Sequence, residues 1–172
     1  MSKIQEFLKN QEKSVMSIVE GKTIIDYLNS NAEEAPDYPA LNTPINNEYT
    51  GWDSISWSEY QETVHNLASG LIDIGIQAED NAFIVANNVK EHFISDLGIM
   101  HAGAVPSTIY KQLKSGQIEY ISNLLEAKVA FVGDAELFTE VNKAKDNCPD
   151  MKYILSLIHI SEPTRLRRIS YA

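Results

Sequence analysis

Two unbroken apolar runs, Ala82–Ala86 (AFIVA) and Val129–Val132 (VAFV), constrain this chain more than any other feature. A run with no polar alternation has to be covered on both faces, which is how strands in the middle of a parallel sheet read. Each run is followed by a helical pattern. Asn87-Asn88 turns into a helix carrying Phe93, Ile94, Leu97, Met100 and His101; Gly103 ends it, and Ala104–Tyr110 returns as a strand. Ser115 is placed to cap a helix bearing Ile118, Ile121, Leu124 and Leu125. A helix over Ala135–Lys145 and a strand over Lys152–Ile154 follow the second run. Strand and helix thus alternate at least three times. This predicts an α/β fold with right-handed crossovers and a mainly parallel sheet flanked by helices.

Upstream, Ile4, Phe7, Leu8, Gln11, Val15, Ile18 and Val19 recur at helical spacing, and the helix should end near Gly21. Thr23 opens a second helix with Asp26 as its cap partner. Asn31–Pro44 is rich in proline and small polar residues and reads mostly as loop, with a short strand at Ala40–Thr43. Trp52–Ser56 alternates as a strand. Ser56 and Glu59 form a capping box for a helix that presents Tyr60, Val64, Leu67, Ala68 and Leu71 on one face, with Gly75 just past its end. Trp57, Leu67, Leu71, Phe83, Val85, Leu97, Val105 and Val129 are expected in the core. No internal repeat is visible.

Composition narrows the class. Fourteen basic residues face 24 acidic ones, for a formal charge of −10, which argues against nucleic acid or an anionic membrane as partner. A single cysteine, Cys148, excludes an internal disulfide or a Cys-built zinc site and fits a reducing compartment. The apolar runs are too short to span a bilayer, and Lys3, Glu6, Lys9, Glu12 and Lys13 leave no signal-peptide core. A cytoplasmic location is expected.

All three arginines, Arg165, Arg167 and Arg168, fall in the last eighteen residues, LSLIHISEPTRLRRISYA. Leu155 to Arg165 resembles, in order, an in-frame translation of a transposase-type sequencing adapter. Leu166–Arg168 then stands where a barcode would, and Ile169–Ala172 where the adapter continues. Residues 155–172 are therefore expected to be a non-native tail and are excluded from fold reasoning. Without them three Arg and one Glu are lost, and residues 1–154 carry a net charge of −12.

Local chemistry is sparse. Gly70/Gly75 and Gly98/Gly103 have the spacing of a phosphate loop, but no Lys-Ser or Lys-Thr follows, and both pairs lie in helices and at their ends; helix packing and C-caps explain them. There is no GxGxxG. His65, His92 and His101 are not at ligand spacing on any one helix. Ser107-Thr108 lacks a nucleophile elbow, and Cys148 sits between Asp146 and Asp150, where its pKa should not be lowered. Glu33-Glu34 and Glu79-Asp80 read as solvated loop faces.

Six ordered stretches carry a family resemblance. They are Ser56-Trp57-Ser58-Glu59-Tyr60; Leu67-Ala68-Ser69-Gly70-Leu71 with Gly75-Ile76; Ala82 to Asn88 with Glu91; Gly98 to Pro106; Tyr110 with Tyr120-Ile121; and Ala127 to Val132. In this register, from Thr23 to Ile154, the chain resembles the N-terminal region of the adenylate-forming (ANL) superfamily, specifically acyl-CoA synthetases. The Pro106-Ser107-Thr108-Ile109-Tyr110 stretch leans toward the long-chain fatty-acid branch. One departure is Glu79-Asp80-Asn81, where the family usually has Gly-Asp, so a changed turn is expected there.

The resemblance implies a truncated N-terminal part of the superfamily's large domain, arranged as 1–22 helical extension, 23–154 AMP-binding part and 155–172 tail. It implies an ATP-dependent ligase that joins a carboxylate such as a fatty acid to the α-phosphate and then to CoA, with ATP, Mg²⁺ and CoA serving the full-length parent and none expected on this fragment. Peripheral membrane association of the parent is compatible with it. The family's phosphate loop, metal ligand and catalytic lysine all lie beyond Ile154. No residue here is assigned as catalytic, cofactor-binding or metal-binding, and the fragment is expected to be inactive. The competing expectations are a complete small binding module of flavodoxin or receiver type, or another activity of the superfamily such as an aryl-CoA ligase or an adenylation domain.

Overall fold

The computed structural model describes residues 3–45 and 50–157. Its elements, in chain order, are α1 (Lys3–Val19), α2 (Ile24–Glu34), β1 (Pro39–Pro44), β2 (Trp52–Ser56), α3 (Trp57–Asp73), β3 (Asn81–Val85), α4 (Lys90–His101), β4 (Val105–Thr108), α5 (Ser115–Leu125), β5 (Val129–Val132), α6 (Ala135–Lys145) and β6 (Tyr153–Ser156). Four strands form one parallel sheet in the order β4-β3-β5-β6, and β1 and β2 form a separate antiparallel pair.

Both apolar runs are central strands of that sheet. The two-residue period of a strand sends successive side chains to opposite faces. Ala82, Ile84, Val129 and Phe131 accordingly pack with Leu28, Val64, Leu67, Ile94 and Ile99 from α2, α3 and α4. Phe83, Val85, Ala130 and Val132 pack with Ile118, Leu137 and Val141 from α5 and α6 on the other side. The result is a three-layer α/β/α arrangement, as the alternation predicts.

The helices begin and end where local chemistry dictates. Thr23 Oγ1 accepts the Asp26 N–H at 3.3 Å while Asp26 Oδ2 accepts the Thr23 N–H at 2.6 Å; Ser56 and Glu59 repeat this reciprocal box on α3. Both carboxyls are held below their ordinary range, chiefly by the backbone N–H each accepts. At the far end of α3, Gly75 takes φ 92, its N–H reaches Ile72 O, and the Ile76 N–H reaches Leu71 O, a Schellman closure. Gly103 closes α4 the same way at φ 79.

Five expectations need correction. Asn31–Glu34 belongs to α2, not to a loop, because burial of Ala32 holds the last turn despite its polar neighbours; Glu33-Glu34 therefore lies on a helix. Pro39–Pro44 is a longer strand than expected, since pairing with β2 supplies its register. Val105 is 45% exposed and not core, because among the described residues β4 is the edge strand of its sheet. Trp57 and Leu97 are only partly buried against the core. Ser115 is the first residue of α5, not its cap: Lys114 is the N-cap residue, its N–H goes to Gln117 Oε1, and the Ser115 N–H is taken by Glu140 Oε2 across from α6.

β6 runs to Ser156, and Leu155 and Leu157 are buried on the α2–α4 side. Leu155 and Ser156 pair with Phe131 and Val132, so the sheet continues across the boundary drawn at residue 154. The remainder of the expected tail, residues 158–172, lies outside the described residues.

α1 carries the predicted periodicity, but Val15, Met16 and Ile18 face outward, and Tyr27 Oη donates to Ile18 O at 2.9 Å. In the turn before β3, Glu79 sits at φ 69, a conformation that only glycine adopts freely. Glu79→Gly should therefore raise stability by about 0.5–1 kcal/mol, read as a higher thermal midpoint.

Gly98 seats α4 on α3. A Cβ there would stand 2.6 Å from Leu67 Cδ2 and 2.8 Å from Leu67 Cγ, and Leu67 is buried. Gly98→Ala should cost about 1–3 kcal/mol through overpacking, and Leu67→Ala about 2–5 kcal/mol through a cavity. The double variant should cost less than the two singles together, because each relieves the other's defect; denaturant titration of the four proteins checks this.

Candidate functional site

Open parallel sheets bind ligands beyond the carboxyl ends of their strands, at the point where successive crossovers leave in opposite directions. Here that point lies between β3 and β5. From β3 the chain crosses through α4 to β4 on one side; from β5 it crosses through α6 to β6 on the other. The loops that leave the two strands, Ala86–Val89 and Gly133-Asp134, are the first place to look for chemistry.

That crevice is filled by backbone. The Gly133 N–H donates to Val85 O at 2.9 Å, and a Cβ on Gly133 would lie 2.9 Å from both the Cα and the Cβ of Ala86. The α6 N-terminus, an anion-binding position in many α/β proteins, is already supplied: Asp134 Oδ1 accepts the Leu137 N–H at 2.9 Å. An anionic ligand would have to displace that carboxylate. The β3 loop is tied to the β4 loop by Lys111 Nζ donating to Asn87 Oδ1 at 2.5 Å. Beside it, His92 Nε2 and Thr108 Oγ1 share a hydrogen bond of 3.0 Å.

Behind this edge, α4 anchors its surroundings. Lys90, buried at its N-terminus, is paired with Asp53 of β2. Tyr60 Oη donates to Phe93 O at 3.2 Å, and burial pushes the Tyr60 phenol well above its ordinary range. Burial likewise raises the Asp96 carboxyl, with His92 pulling the other way. At the sheet's opposite edge Lys128 is paired with Asp150 at 2.6 Å, and that hydrogen bond raises its pKa.

The structure locates each residue singled out in the sequence. Gly98 serves packing, Gly75 and Gly103 close their helices, and Gly70 lies within α3, its carbonyl accepting the Ile74 N–H. Cys148 is buried, and burial raises its thiol pKa, in line with the expectation that it is not activated. Thr108 stands at the end of β4 against His92. His65 and His101, 36 positions apart, are brought together by α3 and α4: their rings stack at 4.5 Å between centroids and 14° between planes. Among the described residues, no three His, Cys, Asp or Glu side chains are grouped to hold a metal ion. Sequence reasoning read Asn87 only as part of a turn and missed Gly133 and Lys111, although Gly133-Asp134 directly after a doubly buried strand was a readable signal for a strand-to-helix turn.

The closure predicts a steep response at Gly133. Because the obstacle is backbone, Gly133→Ala should cost about 3 kcal/mol or more, well beyond Gly116→Ala, whose Cβ would meet nothing within 4 Å. Thermal melts of the two variants beside the parent chain make the comparison.

Known proteins resemble this arrangement. The chain is 27% identical over 150 residues to long-chain-fatty-acid–CoA ligase heimdall of Drosophila melanogaster, a match that covers 86% of this chain and 22% of that protein. It is 28% identical over 121 residues to long-chain-fatty-acid–CoA ligase FadD15 of Mycobacterium bovis, covering 70% of this chain and 20% of that one. It therefore spans about a fifth of the length of these curated relatives. Among solved structures, the anthranilate CoA ligase AuaEII in complex with anthranoyl-AMP superposes with a TM-score of 0.69 at 21% identity, over 77% of this chain and 24% of that one, which shows a shared fold. Residues 28–168 match the AMP-binding enzyme family, the family to which the six ordered stretches point, and the chain belongs to it.

Proposed function

We propose that this chain is the N-terminal part of an ATP-dependent acyl-CoA ligase acting on a long-chain fatty acid. The observation that carries the reading is the family match over residues 28–168 together with relatives from an insect and a bacterium that are both long-chain-fatty-acid–CoA ligases. In such a reaction a carboxylate oxygen attacks the α-phosphorus of ATP and pyrophosphate leaves. The CoA thiol then attacks the acyl carbon, the thioester forms and AMP leaves.

ATP, Mg²⁺ and CoA are the groups this chemistry needs, and the described residues do not fit them. The α6 N-terminus is occupied by Asp134, the switch-point crevice is closed by Gly133 and Ala86, and the exposed Lys111 is held by a neutral amide. No step is therefore routed through these groups here. The role we assign to this piece is to supply the packed sheet and helices on which the rest of the enzyme is built. It is inactive alone, works in the cytoplasm, and takes no nucleic acid partner. We further assign residues 155–172 a non-native origin, on their resemblance to translated adapter and on the confinement of arginine to them.

The test is ATP–pyrophosphate exchange with a panel of fatty and aromatic acids, run on the 172-residue chain and on the product of the genomic reading frame continued past Ile154. The expected result is no exchange by the first and fatty-acid-dependent exchange by the second. An extended product that forms no acyl-adenylate from any carboxylate sinks the proposal, as does a genomic locus that encodes residues 155–172 and then stops. Exchange with aromatic acids alone would transfer the assignment to an aryl-CoA ligase.

A further inference from the structure

We propose that the stacked His65–His101 pair is a pH-sensitive seam that loosens α4 from α3 on acidification. The argument starts from packing. α3 and α4 approach closely because Gly98 admits Leu67, and His101 lies one turn beyond Gly98 on the same helix. His65 lies two residues before Leu67, and its ring is parallel to that of His101 at 4.5 Å. Two neutral imidazoles gain from such stacking, whereas two imidazolium rings at that separation repel.

The two rings are not equivalent. His65 Nε2 is buried and has no hydrogen-bond partner. Once protonated, this ring would carry a buried N–H with no acceptor, a state that costs free energy. His101 is the more exposed of the two. Burial holds its pKa below the ordinary histidine value, and His65 adds to the depression.

The surrounding charges do not neutralise the pair. On α3, Glu59 is engaged in the Ser56 box, and Glu62 and Asp73 are exposed. On α4, Lys90 is paired with Asp53, His92 bonds Thr108, Asp96 lies toward Tyr60, and Glu91 stands in the first turn. Asp26 of α2 is held in its own cap, Glu33 and Glu34 are exposed, and β1, β3 and β4, which also contact α4, carry no charged side chain. His65 is the charged group that acts on the His101 ring.

The sign follows from proton linkage. A histidine whose folded pKa is depressed binds fewer protons folded than unfolded. Its contribution to stability is full above the unfolded value and is lost as pH falls through that value toward the folded one. Asp96, raised by burial, works in the opposite sense and does not involve this seam.

The experiment measures the thermal midpoint of the full chain at neutral and mildly acidic pH. It compares the parent with His101→Gln, with His101→Phe, which keeps a ring against His65, with His65→Gln, and with the double Gln variant. On acidification the parent should fall by about 2–4 °C more than each single variant, the response of a domain this size to two charges at that separation in water, and the double variant should behave as the singles do. Nuclear magnetic resonance titration in the parent should show His101 titrating below the ordinary histidine range, and in His65→Gln the His101 value should move back up. Midpoints that fall in parallel in all five proteins, or two imidazoles that titrate independently at the ordinary value, would overturn the proposal.

Discussion

Ile84 and Phe131 sit side by side in the β3–β5 pair, fully buried against α2, α3 and α4; Phe83 and Ala130, one residue earlier in the same register, are fully buried against α5 and α6. This two-sided demand organises everything else. A strand apolar on both faces cannot be satisfied by one layer of helices, so the chain must pass over each face in turn. Parallel neighbours then require crossovers, and the crossovers are the helices. Each large side chain so buried contributes about 1.5–3 kcal/mol, and those facing a given layer would lose it if that layer were missing.

Much of this was legible in the residues. The two runs, the Thr23 and Ser56 boxes, and the glycines after α3 and α4 are local signals, and each produced the local structure it implies. What was not legible depended on partners distant in sequence. Val105 looks like core by composition, but among the described residues β4 is the last strand on its side. Ser115 looks like a cap, but Glu140, 25 residues away, takes its N–H. Asn31–Glu34 looks like loop until Ala32 is seen to be buried. The site was less legible than the fold for the same reason. His65 and His101 are unrelated in sequence and meet only through the α3–α4 crossing. The significance of Gly133 lies in Ala86, 47 positions earlier.

The closed switch point bears directly on function. Gly133 and Ala86 press backbone against backbone where a nucleotide-binding sheet would leave an opening, and Asp134 supplies internally the negative charge that a phosphate would bring. In this chain the corner of the sheet between β3 and β5 is therefore taken up by its own backbone and by Asp134. The tight seal instead makes β3 and β5 a rigid floor.

Rigidity at α4 is built from several contacts that share one helix. Leu67 fills the notch at Gly98, Tyr60 reaches the Phe93 carbonyl, Lys90 grips Asp53 of the β-hairpin, and the hairpin is tied to the start of α3 where the Trp57 N–H meets Tyr38 O at 3.1 Å. These contacts close a circuit from α3 through α4 to β2 and back. A circuit of this kind is cooperative: loosening any one contact lets the helix shift against the rest, and interacting sites of this sort depart from additivity. The two histidines stand on that circuit beside its tightest point. Charge placed there acts on an interface that has little room to relax, which is why a pair of partly exposed side chains has leverage on the packing of the whole α2–α4 layer.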